Sequence, residues 1–149
     1  MRQDDTGIHL ETSIGYLLKE TASALRASME AVLRPLGMTV THYSCLELLA
    51  QRPGLSNSEL ARGTFVTRQS MNVLLQTLER DGFVTRATEP SVGKALPTQL
   101  TDSGRRSLAQ ASAAIRGVEQ RMLADLSTDQ QTEARRILRS MVTSLRSEA

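Results

Sequence analysis

Between Leu55 and Arg86 the sequence spells a short capped helix, a tight turn, a longer helix and the start of a strand. Few folds use that order. Ser56 can accept from the backbone N–H of Glu59 while Glu59 reaches back to the N–H of Ser56, the reciprocal pair of a capping box. Leu60 and Ala61 supply a small apolar face, Gly63-Thr64 is expected to break this helix, and Phe65 and Val66 to anchor the turn. The longer helix is expected to cap at Thr67 and to bury Met71, Leu74, Leu75 and Leu78, which recur at the spacing of one helical stripe. Asp81-Gly82 ends it, glycine taking the left-handed position past the last turn.

Rotating that helix by its 3.6-residue period puts Gln69, Val73, Gln76 and Arg80 opposite the buried stripe, with Arg68 and Asn72 on a flank. These are the groups that base edges require. Arginine can hold guanine O6 and N7 with two hydrogen bonds, Gln and Asn can pair with adenine N6 and N7, and Val can touch a thymine methyl. Thr67 and Ser70, near the helix N-terminus, suit phosphates or bases, and Ser56, which opens the preceding helix, joins them as a candidate DNA contact. Taken alone, the pattern also fits an ordinary amphipathic surface helix, since Arg, Gln and Asn are common on any exposed face.

The residues that follow narrow the choice. Phe83-Val84-Thr85-Arg86 reads as a short strand, Ala87 to Lys94 as a polar loop holding Pro90 and Gly93, and Leu96, Thr98 and Leu100 as a returning strand. Pro97 confines the return to a sheet edge, because it cannot donate to the ladder. Helix, turn, helix, strand, loop and strand make a winged helix-turn-helix, with Arg86 and Lys94 as cations placed for a phosphate or the minor groove.

The order of motifs from Leu36-Gly37-Met38-Thr39 through Leu55-Ser56, Glu59-Leu60-Ala61, Val66-Thr67, Leu78-Glu79-Arg80-Asp81-Gly82-Phe83-Val84 and Leu100-Thr101-Asp102-Ser103-Gly104 resembles the MarR family of bacterial transcriptional regulators. The resemblance implies an obligate homodimer whose N- and C-terminal helices interlock and whose two winged domains read a pseudo-palindromic site on double-stranded DNA. It also implies a dimer that shifts between DNA-competent and incompetent spacings of its reading helices, on binding a small aromatic or phenolic effector or, in some members, on oxidation of a thiol. One departure is plain. The family usually places an Asp and one or two Arg at the wing tip, where this chain has Glu89-Pro90-Ser91-Val92-Gly93-Lys94.

The flanking segments fit that plan. Ile14, Leu17, Leu18, Leu25, Met29, Val32 and Leu33 recur at three- and four-residue steps up to Pro35 and Gly37, as in one long amphipathic helix, and a second helix is expected from Thr39 to Gln51. Thr101 is expected to cap a helix carrying Leu108, Ala111, Ile115, Val118, Met122 and Leu126. Ser127 to Gln131 then open another, with Ala134, Ile137, Leu138, Met141, Val142 and Leu145 as its stripe. The fold class expected is mainly α with a small β-wing. A single domain spans 1–149, with dimerisation helices at 8–36 and 102–147 around a winged helix-turn-helix at 38–101. Periodicity alone also allows a self-contained intrachain bundle.

Charge is nearly balanced, at +2 overall, so electrostatics alone does not point to nucleic acid. Its distribution leans the right way: Arg52 to Arg106 holds Arg52, Arg62, Arg68, Arg80, Arg86, Lys94, Arg105 and Arg106 against Glu59, Glu79, Asp81, Glu89 and Asp102. No apolar run is long enough for a bilayer and MRQDDTG lacks the features of a signal peptide, so a cytoplasmic protein with no membrane partner is expected.

Two histidines, one cysteine and the absence of paired-Cys, His-x-x-x-His, glycine-rich phosphate or serine-nucleophile motifs argue against an enzyme, a metal or a cofactor. His42 and Cys45 lie three apart on a helix, which leaves Cys45 as a candidate redox sensor, although a free cysteine among leucines behaves as a small hydrophobe. An effector crevice is expected from Tyr16, Met29, Met38, His42 and Tyr43, where aromatic and polar residues gather between the terminal helices and the winged lobe. The expected function is a DNA-binding repressor released by a ligand. The alternative from another class is a winged-helix interaction module without specific DNA binding.

Overall fold

The computed structural model describes residues 7–86 and 98–147, and the chain divides into two units, Met1–Ile115 and Arg116–Ala149. In the first, Ser13 Oγ accepts from the Tyr16 N–H at 3.2 Å and starts α1, Ile14–Leu33. The helix thus begins at Ile14, the first residue of the apolar pattern, within the segment expected from residue 8. Pro35 sits in a 3-10 turn, Arg34–Leu36, and Gly37 leaves it with φ 69°.

Helix α2, Val40–Gln51, opens with a capping box in which His42 N–H donates to Thr39 Oγ1 (3.1 Å) and Thr39 N–H donates to His42 Nδ1 (3.3 Å). Helix α3, Asn57–Thr64, carries the expected capping box of Ser56 and Glu59. Its end differs from the expectation. Gly63 and Thr64 stay helical, and the chain turns at Phe65, which takes the left-handed conformation at φ 62°. Gly63 serves closeness instead of breaking the helix: a Cβ there would stand 2.7 Å from Leu48 Cδ1, so a side chain at this position would require Leu48 to shift. Phe65 does not anchor the turn either, being 84% exposed.

Helix α4, Arg68–Arg80, is capped by Thr67, whose Oγ1 accepts from the Ser70 N–H at 3.0 Å. Met71, Leu75 and Leu78 are buried, with Leu74 half-buried beside them. At about 1.5–3 kcal/mol for each large apolar side chain, this stripe fixes the rotation of α4 about its axis. Gly82 follows at φ 82°, and β1 (Val84–Arg86) pairs antiparallel with β2 (Thr98–Leu100) in the register Val84↔Leu100, Thr85↔Gln99, Arg86↔Thr98. Leu96, Pro97 and the loop from Ala87 lie outside the described residues.

Helix α5, Asp102–Met122, begins in the first unit and ends in the second. Thr101 caps it as expected, its Oγ1 accepting from the Gly104 N–H at 3.0 Å while donating to the Gly82 carbonyl at 2.6 Å. Gly104 is required there, since a Cβ would overlap the Phe83 carbonyl. The core of this unit joins Leu33, Leu46, Leu60, Met71, Leu75, Val84, Leu100 and Leu108, and thus draws on every element from α1 to α5. Outside that core, Ile14, Tyr16, Leu17 and Leu18 on α1 are exposed.

In the second unit, Ser127 and Gln130 form the capping box of α6, Thr128–Arg146. No residue of α6 is buried, and Ile137, Leu138, Val142 and Leu145 of its apolar stripe are exposed, Leu145 at 87%. An amphipathic helix with its apolar stripe in water is incomplete on its own.

Candidate nucleic-acid interface

The turn between α3 and α4 and the outer face of α4 carry the reading groups. With Met71, Leu75 and Leu78 inward, helical rotation leaves Arg68, Gln69, Asn72, Val73 and Gln76 exposed on the other side. Val73 is 59% exposed, an apolar side chain left in water in the middle of a polar face. Thr67 and Ser70 are exposed at the helix N-terminus, where Thr67 Oγ1 donates to Ser70 Oγ at 2.9 Å. The N-terminal N–H groups of α4 give this end a partial positive charge suited to phosphate.

Ser56 is half-buried and its hydroxyl oxygen is engaged by the Glu59 N–H at 3.2 Å. The same capping box, led by the Ser56 backbone donor, holds the Glu59 carboxyl below the usual carboxylate range. Asn57, which the sequence pattern does not single out, donates through Nδ2 to Asn72 Oδ1 at 2.6 Å. Fifteen residues separate the two, beyond the reach of any helical periodicity.

In the wing, strand alternation puts Arg86 on the inward face with Val84. It is half-buried, and its Nε and Nη2, together with Thr98 Oγ1 opposite it in the ladder, are buried without a hydrogen-bond partner among the described residues. The pleat thus turns part of the Arg86 side chain inward and leaves the rest exposed at the wing. Lys94 and the wing tip from Glu89 lie outside the described residues.

The residues expected to form an effector crevice are dispersed. Met38 is buried, Met29, His42 and Tyr43 are half-buried, and Tyr16 is exposed on α1. Thirteen residues of helix separate Tyr16 from Met29, about 20 Å along the axis. A cavity of about 400 Å³ does open beside Met38, lined also by Arg26, Glu30, Arg34, Thr39 and Val40. Burial lowers the His42 pKa below its ordinary value, against an opposing pull from Asp81, and this matches the neutral Nδ1 acceptor in the α2 capping box.

The redox expectation for Cys45 fails on geometry. The thiol is fully buried, and burial pushes its pKa up to about 12, the reverse of what a reactive thiolate needs. Among the described residues no group of three or more His, Cys, Asp or Glu is placed to hold a metal, and no helix is long and apolar enough to cross a membrane.

Comparison with known proteins gives a concordant result. Residues 36–95 match the family model described as MarR family. Over 135 residues the chain is 42% identical to the HTH-type transcriptional repressor Rv2887 of Mycobacterium tuberculosis, covering 91% of this chain and 97% of that one. The solved structure of Rv2887 in complex with DNA superposes with a TM-score of 0.71 at 40% identity, covering 87% of this chain and 98% of that one. The structure of the same protein in complex with salicylic acid gives 0.72 at 42% identity, covering 87% and 96%.

Proposed function

The chain belongs to the MarR family of transcriptional regulators, and on that premise we propose that it is a sequence-specific repressor acting as a homodimer on a pseudo-palindromic duplex site. The observation that carries this reading is the outer face of α4. Arg68, Gln69, Asn72, Val73 and Gln76 stand exposed on a helix whose rotation is fixed by the buried Met71, Leu75 and Leu78. Arg68, Gln69, Asn72 and Val73 read base edges, Gln76 extends that face, and Thr67, Ser70 and the capped N-terminus at Ser56 meet phosphates. Arg86 and Lys94 flank the groove from the wing.

A second copy covers the terminal helices. The exposed apolar stripe of α6 and the exposed Ile14, Leu17 and Leu18 of α1 support it, because each costs solvation that an isologous interface recovers. The dimer is one regulatory unit, residues 8–36 and 102–147 holding the two winged lobes of 38–101 at a spacing set for two half-sites. It works in the cytoplasm without catalytic activity.

A small aromatic acid releases the DNA by favouring another spacing of the lobes. The cavity beside Met38, with Arg34 on its wall and Arg26 paired there to Glu30 at 3.1 Å, supports a carboxylate-bearing ligand held chiefly by Arg34, as does the salicylic acid complex of Rv2887. Met29, His42, Tyr43 and Tyr16 are the remaining residues proposed to respond to it.

The test is a titration of the protein against a duplex from its own upstream region and a scrambled control, at several salt concentrations and with and without salicylic acid. Binding on the order of 10³-fold tighter to the former, weakening steeply with salt, is expected. Equal or absent binding to both, with no salt dependence, moves the protein to the class of winged-helix interaction modules. Unchanged binding in saturating salicylic acid removes the aromatic-acid effector alone.

A further inference from the structure

Asn57 is the first residue of α3 and Asn72 the fifth of α4, and the 2.6 Å bond from Asn57 Nδ2 to Asn72 Oδ1 spans the angle between the two helices. An exposed bond between two neutral amides contributes little to stability, because water competes for both groups. What it changes is orientation. A free asparagine can turn either its oxygen or its NH₂ group outward, and the two ends read opposite edges.

We infer that Asn57 is a positioning residue that fixes the Asn72 amide with its NH₂ group toward the DNA, so that this position of each half-site prefers guanine over adenine. The inference rests on the DNA-reading role of α4 and deepens it. Two-point recognition of adenine needs an oxygen facing N6–H and an NH₂ facing N7. Here the Asn72 oxygen is turned to Asn57, which leaves two N–H donors on the exposed side of the helix. Guanine presents two adjacent acceptors, N7 and O6, to such a group, whereas the exocyclic amine of adenine meets it donor to donor.

The geometry also predicts how to reverse the preference. Asn57→Asp puts a carboxylate, which only accepts, in place of the donating NH₂. The Asn72 amide then turns its own NH₂ back to the carboxylate and presents its oxygen outward, toward the amine of adenine or cytosine. Asn57→Ala removes the constraint and lets both orientations exchange.

The experiment is selection of bound duplexes from a random-sequence pool by the full-length protein, followed by sequencing, with Asn72→Ala used to identify which base position Asn72 reads. The wild-type protein should favour guanine there on the order of tenfold. Asn57→Ala should bring guanine and adenine toward parity, and Asn57→Asp should invert the order. In the Asn72→Ala background neither Asn57 change should alter the preference at that position.

A merely structural Asn57 would lower affinity for every sequence alike and leave the base preference untouched, and that outcome overturns the inference. So does a wild-type preference for adenine, or an Asn72→Ala profile identical to wild type. A wild-type protein that enriches no sequence at all fails at the earlier step, DNA reading by α4, and is recognised as such by the flat profile.

Discussion

The Sγ of Cys45 lies 4.0 Å from the Sδ of Met71, so the chain's single thiol packs against the buried face of the reading helix. With its pKa pushed up to about 12, this thiol stays protonated at neutral pH. In the native protein it should resist thiol reagents and react stoichiometrically once urea unfolds the chain. Peroxide should leave DNA binding unchanged. Cys45→Ser places a hydroxyl among apolar side chains and should cost about 1–3 kcal/mol in urea denaturation. A fast-reacting native thiol contradicts the burial.

Phe65 combines two costs at one position, a left-handed backbone and a side chain in water. Asparagine tolerates that conformation far better. Phe65→Asn should therefore raise stability by about 1 kcal/mol, measured as a higher midpoint of chemical unfolding. A loss of stability would mean that Phe65 makes an apolar contact in the dimer.

His42 carries a pH dependence of definite sign. Its folded pKa lies below the ordinary 6.5, so the unfolded chain binds the extra proton first as pH falls. The stability it contributes is present above pH 6.5 and is lost as pH drops toward the folded value. Protonation also removes the Nδ1 acceptor that holds the Thr39 N–H at the start of α2. Unfolding measured between pH 7 and pH 5 should show a slope that flattens in His42→Asn, a residue able to keep the cap.

Arg68 is exposed at the first position of α4, free of any hydrogen bond or ion pair among the described residues. Arg68→Ala should weaken binding to the preferred duplex by about 1–3 kcal/mol and relax sequence preference at one position of each half-site. Equal weakening on all sequences, with a shallower salt dependence, would make it a phosphate clamp instead.

The elements of the fold are legible in the sequence wherever their causes are local. A capping box links residues three apart, a buried stripe links residues three and four apart, and a strand alternates by two. Ser56 with Glu59, Thr67 before α4, Met71, Leu75 and Leu78 inward, Gly82 past the helix and Thr101 before α5 all follow from such short-range rules. The reading face of α4 follows too, as the complement of its buried stripe.

The same rules go astray where a residue answers to a partner far along the chain. Gly63 looks like a helix breaker and is instead a gap that admits Leu48. Nothing local tells that Arg86, a cation of the wing, is half-buried with its Nε and Nη2 out of solvent opposite Thr98.

By itself, then, the sequence determined the order, limits and inward faces of most elements, because backbone caps and hydrophobic periodicity act within a few residues. Only the tertiary structure decided the depth of Cys45, the exposure of Phe65 and the meeting of Asn57 with Asn72. Each of these depends on how two helices approach one another, and that distance is set by packing rather than by any local pattern.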